Sequence, residues 1–223
     1  MSLAFPVAAA AIAAAAGWPA TAMADAYRIP SGTLPRQWAD YRRALRPAAL
    51  ALAAPMAALA FAAACFVRPA LVACAACWLV ICAVPLAVID VTVRRLPDPL
   101  TAAALAGTAA SLLAAAWLHG LWPDLARAGG GAALLAGLFT ALALTRPGSA
   151  GLGDAKLALS VGALAAWFGW GALAEAVVAG FLLAGGYAVG LVTTRRAGLR
   201  SSLAFGPFLL AGCFAAVLLV SAR

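Results

Sequence analysis

Eight long apolar stretches, separated by short polar or basic connections, run along the 223-residue chain at 3–24, 47–67, 69–89, 100–118, 129–145, 157–171, 172–193 and 203–221. A helix needs roughly 20 mostly apolar residues to cross the hydrocarbon layer of a bilayer. Only structures that satisfy their backbone polar groups internally can do so. The pattern therefore predicts an all-α, polytopic integral membrane protein with about eight transmembrane helices. Residues 1–46 form a first helix with a basic loop, and residues 47–223 form the transmembrane core.

Composition agrees with this pattern. Hydrophobic residues make up 66% of the chain and charged residues 10%, against about 45–50% and about 25% in an ordinary soluble domain. The net charge of +8 does not indicate nucleic acid, because the cations are spread in short runs between apolar stretches and not gathered on one face with polar or aromatic readers. Such runs suit lipid headgroups and set orientation. Taking alternate connections, Arg28, Arg36, Arg42, Arg43, Arg46, Arg94, Arg95, Arg146, Lys156, Arg195, Arg196 and Arg200 fall on one side. Only Arg68, Arg127 and Arg223 fall on the other, a split of 12 to 3. Cations accumulate on the cytoplasmic side, which places the four basic connections there and both termini outside. Ala22-Met23-Ala24 resembles a signal-cleavage site, but a cleaved signal would export a loop of five Arg residues, so a retained first helix is expected.

The five cysteines, Cys65, Cys74, Cys77, Cys82 and Cys213, lie in apolar runs, where free Cys acts as a small hydrophobe. Cys74 and Cys77 form a C-x-x-C, yet a zinc site needs a second half that the chain lacks. No metal and no cofactor are expected. Gly186 and Gly190 have the spacing of a helix-packing G-x-x-x-G, and Gly180 adds to the same small-residue surface.

Ionisable groups at the mouth of a span are expensive to keep and are functional candidates. Asp90 closes the run Leu86-Ala87-Val88-Ile89, and Asp154 stands in Gly151-Leu152-Gly153-Asp154-Ala155-Lys156 just before the run from Leu157. Both fall at cytoplasmic helix ends in the expected topology. The paired glycines Gly151 and Gly153 allow a second backbone or a substrate to come close. Serine or cysteine nucleophiles would need His119, the one histidine, which the topology puts on the far side. Two carboxylates that share a proton can activate water and protonate a peptide carbonyl. The spacing alone equally allows helix-end carboxylates paired with Arg94, Arg95 or Lys156.

At these residues the sequence resembles the type IV prepilin peptidases, membrane aspartic proteases that trim leaders from pilin-like precursors. Three blocks carry the resemblance. Asp90 is followed by Arg95-Leu96-Pro97-Asp98-Pro99-Leu100, with Asp98 where an Asn is usual. Gly151-Leu152-Gly153-Asp154-Ala155-Lys156 matches G-x-G-D-x-K, and Phe205-Gly206-Pro207-Phe208 matches a phenylalanine-glycine-proline-phenylalanine block.

The resemblance implies a catalytic pair, Asp90 and Asp154, supported by Lys156, Gly151 and Gly153, acting without metal at the cytoplasmic face of a bacterial inner membrane. Its partners are then prepilin-like or pseudopilin precursors and the surrounding lipids. Bifunctional relatives carry a cysteine tetrad associated with methylation, and residues 25–46 hold no Cys, so cleavage without methylation is implied. A small ion-coupled transporter using intramembrane aspartates is the alternative, although it predicts mid-span carboxylates and an internal repeat. A scaffold subunit without chemistry is a further one.

Overall fold

The computed structural model describes residue 7 and residues 58–60, 62–63, 65–93, 96, 98–145, 152–195 and 204–223. Everything with defined bounds there is helical: α1 (Ala70–Val93), α2 (Asp98–His119), α3 (Trp122–Thr145), α4 (Leu152–Trp167), α5 (Trp170–Thr193) and α6 (Gly206–Ser221). Six of the eight apolar stretches thus correspond to helices. Stretch 3–24, apart from Val7, and most of stretch 47–67 lie outside the described residues. Among the described residues α2, α3, α5 and the Ala70–Ala87 part of α1 are long and apolar enough to span a bilayer, and α6 is a shorter apolar helix. This is the architecture of an all-helical membrane protein, with four such spans described where about eight were expected.

The helices divide into a centre and a periphery. From Leu157 to Trp167 every residue of α4 but Leu159 is buried, and α4 packs against each of the other five helices. A helix apolar all round belongs inside a bundle. The Ala70–Ala87 window of α1 is 67% buried, whereas α3 and α5 are only 22% and 17% buried. The outer faces of those two carry exposed Leu134, Leu138, Phe181, Leu182 and Tyr187, a surface suited to acyl chains. Hydroxyls on α3 and α2 turn back onto their own backbone: Thr140 donates to Ala136 O at 2.7 Å and Ser111 to Gly107 O at 2.8 Å. Back-bonding of this kind satisfies polar groups where water is absent.

Glycine decides how closely the helices approach. A Cβ on Gly162 of α4 would stand 2.5 Å from Gly131 O of α3, and one on Gly212 of α6 would stand 2.6 Å from Gly180 N of α5. Both pairs therefore pack backbone to backbone. Gly180 makes the contact expected of it, but Gly186 and Gly190 have nothing within 4 Å of a built Cβ. Among the described residues the G-x-x-x-G spacing makes no close contact, because α6 crosses α5 nearer its N-terminus. The three glycines at 129–131, at the start of the apolar stretch 129–145, lie inside α3, which starts at Trp122. Of these, Gly131 packs closely on α4 and Gly130 lies beside the Trp170 ring.

Cysteine behaves as expected for a packing residue: all five are free, and Cys77, Cys82 and Cys213 are buried. The Cys77 thiol donates to Ala60 O at 3.4 Å. Arg127, near the start of α3, closes the far end of α4. Its Nε donates to Ala166 O at 2.7 Å, and its Nη2 donates to Trp167 O and to Asp124 Oδ1. A guanidinium on the last carbonyls of a helix satisfies acceptors that have no intrahelical donor.

Candidate active site

Asp90 belongs to the last turn of α1, beyond the Ala70–Ala87 window, and is 6% exposed. Asp154 lies in the first turn of α4 and is 8% exposed. The run Gly153-Asp154-Ala155-Lys156 is therefore helical, whereas a connection was expected up to residue 156. An acidic residue in a first turn faces the positive end of the helix dipole, which favours starting the helix there. Gly153 sits against Leu96, whose Cβ would be 2.8 Å from a Cβ on the glycine. That contact brings the segment after α1 onto the start of α4. Gly151 lies outside the described residues, as do Arg94, Arg95 and Pro97.

The two carboxyl groups lie at one end of the bundle, near enough for the charge of Asp154 to act on Asp90. Burial and the neighbouring charge of Asp154 push the Asp90 carboxyl up to about 6, while a hydrogen bond from the Gly206 N–H pulls it the other way. That bond runs from the first residue of α6 to Asp90 Oδ2 at 3.1 Å. Three helices, α1, α4 and α6, thus contribute to a single buried acidic pair. Gly206 was visible in the sequence as part of Phe205-Gly206-Pro207-Phe208. Its contact with Asp90 was not, because a backbone N–H has no residue-type signature.

Lys156 is turned elsewhere. Its ammonium bonds to Asp98 Oδ1 at 2.5 Å, and both side chains are largely exposed. Lys156 thereby ties the start of α2 to the start of α4, beside the acidic pair. His119 ends α2 at the opposite terminus from Asp98, about 30 Å along the axis at 1.5 Å per residue. The histidine is therefore remote from both aspartates, as the alternation of connections predicted. Asp124, Arg127, Trp122, Trp167 and Trp170 occupy that remote end with it, on the termini of α3, α4 and α5. Exposed Trp117 and Trp122 stack edge to face there, with ring centroids 5.8 Å apart. Tryptophan gathered at one end of a bundle is the signature of a membrane interface.

A buried pair of carboxyl groups, one of them raised toward neutrality, is equipped to hold a single proton between them and to act on a water molecule. Residues 73–189, just over half of the chain and including both aspartates, match the family model described as the type IV leader peptidase family. No curated protein and no solved structure gives a match.

Proposed function

The chain belongs to the type IV leader peptidase family, and on that premise we propose that it is an aspartic endopeptidase that removes leaders from type IV prepilin-like or pseudopilin precursors. The observation that carries this reading is the buried juxtaposition of Asp90 and Asp154. Asp90, with its raised carboxyl, holds the proton and serves as the acid. Asp154 is the base. As Asp154 takes a proton from water, the water oxygen attacks the scissile carbonyl carbon and Asp90 protonates the carbonyl oxygen. Collapse of the tetrahedral intermediate breaks the C–N bond: the departing amine takes the proton held by Asp154, and one hydroxyl of the intermediate returns its proton to Asp90 as the carbonyl re-forms.

The site lies at a helix end and not at mid-span, which suits a substrate whose own apolar helix stays in the bilayer while its polar leader hangs outside. Positioning of that helix supplies much of the catalysis. The cation distribution supports a cytoplasmic setting for this end, and the family reading makes the membrane a bacterial inner one. A transporter reading would need carboxylates at mid-span, and Asp90 and Asp154 occupy terminal turns instead.

The test is co-expression with precursors that join a short basic leader to an apolar helix, scored by gel shift. Asp90→Asn and Asp154→Asn should each abolish cleavage while the protein remains in the membrane at wild-type level, because an amide neither accepts the proton from water nor shares it. Near-normal processing by either variant would remove that residue from the pair.

A further inference from the structure

Gly206 lies outside the segment matched by the family and 116 positions after Asp90. Its place at the acidic pair is set by the way α6 begins. The first amides of a helix have no partner within it and must find one elsewhere. Phe208 N–H and Leu209 N–H both donate to Phe205 O, at 3.0 and 3.1 Å. Pro207 has no N–H. Gly206 N–H is therefore the amide that leaves the helix, and it goes to Asp90 Oδ2.

The fit around that bond is tight. A Cβ at position 206 would stand 2.8 Å from Asp90 Oδ2 and 3.5 Å from both Asp90 Cγ and Leu157 Cδ2. Any side chain there would displace the carboxyl group or the helix. The preceding residue is held as well: the Phe205 ring lies between Phe139 of α3 and Phe181 of α5, with centroids 5.4 and 4.9 Å away. Aromatic contacts at such distances restrain the entry into α6, so the amide cannot swing away from Asp90.

We propose that Gly206 is a positioning residue of the peptidase: its amide occupies Oδ2 of Asp90, leaving Oδ1 as the oxygen that carries the proton delivered to substrate. The inference rests on the proposed acidic pair. An oxygen that accepts an N–H cannot donate along the same direction, so the proton belongs on the other oxygen. The N–H, at the positive end of α6, also holds the Asp90 proton less tightly than burial alone would dictate. Among the described residues Asp154 of α4 is the charged group acting on Asp90. Asp98 of α2 is engaged with Lys156, and α6 brings no charged side chain.

The experiment is a pH profile of kcat and KM for the full-length protein in detergent, using a synthetic precursor with a polar leader and an apolar helix. Wild type, Gly206→Ala, Phe205→Leu and Asp90→Asn are compared. Gly206→Ala should lose about tenfold or more in kcat with KM near wild type, since misplacement of a reacting group acts on the chemical step. Its alkaline limb should move to higher pH, because the added Cβ pushes the Asp90 carboxyl off the N–H that opposes its protonation. Phe205→Leu, which leaves the glycine in place, should move the limb the same way by less. An unmoved limb in Gly206→Ala, with or without a fall in kcat, would overturn the proposal. If that variant does not run as a folded species on gel filtration, Phe205→Leu decides, and an unmoved limb there overturns it equally. Cleavage by Asp90→Asn would bring down the acidic pair itself. Its inactivity beside an unaltered Gly206→Ala profile would bring down only the role of Gly206.

Discussion

Asp90 shows how one residue acquires chemistry from its neighbours. In water an Asp carboxyl titrates near pH 4, whereas here burial and the Asp154 charge raise it to about 6. If Asp90 is the acid, it must be protonated to act. The kcat/KM of the free enzyme is therefore expected to fall as pH rises through that region, and to fall again at low pH once both carboxyls are protonated. A rate profile on a fixed precursor checks this, and a rate that keeps climbing well above neutral pH would remove Asp90 as the acid. Asp98 provides the contrast. It is exposed and paired with Lys156, and exposed pairs contribute little. Asp98→Asn should stay within about threefold of the wild-type cleavage rate, consistent with the weak coupling of solvent-exposed charges. Equal loss with Asp90→Asn would place Asp98 in the reacting group.

At the scale of the element, α4 carries the acidic site at one end and the Arg127 clamp at the other. Its middle is packed so closely against α3 that Gly162 and Gly131 admit no Cβ. Arg127 satisfies Ala166 O and Trp167 O. Arg127→Ala strips Trp167 O of that donor and leaves Ala166 O with the Gly169 N–H alone, and should destabilise the protein by about 1–3 kcal/mol, the usual cost of leaving such a group unmade. Thermal unfolding in detergent measures this as a lowered Tm, while cleavage below the transition should be unchanged because the clamp sits at the end remote from Asp154. Lost cleavage without a lowered Tm would show that the two ends of α4 are coupled. The start of this helix was read too late in the chain. Gly153, Asp154 and Lys156 lower apolar periodicity, yet the helix dipole accepts Asp154 in a first turn. The long run of small residues also hid where α3 begins, since glycine in a membrane helix is tolerated where a neighbour packs on it.

For the molecule as a whole, the division into a chemical end and a tryptophan-lined end carries a topological consequence. Asp90, Asp98, Asp154, Lys156 and Gly206 share the first, and His119, Trp122, Arg127 and Trp170 share the second. With cations split 12 to 3, reporters fused after Arg46, Arg95, Lys156 and Arg200 should all read as cytoplasmic, and one fused after His119 should read as external. A reporter inside at Arg95 but outside at Lys156 would put the two aspartates on opposite faces and end the proposed mechanism.

The succession of apolar runs was enough to assign helices and a bilayer setting, because burying backbone in lipid leaves so few alternatives. Two aspartates at run ends stood out for a similar reason: in so apolar a chain, an ionisable group is costly wherever it is kept. That burial and Asp154 raise the Asp90 carboxyl, that Lys156 turns to Asp98, and that Gly180 packs closely where Gly186 and Gly190 have nothing described against them were decided only by tertiary structure. So was the reach of Gly206 across 116 positions to Asp90. Each depends on the depth and angle at which two helices cross. Those quantities come from side chains distant in sequence meeting at close range, and periodicity within a single run does not encode them.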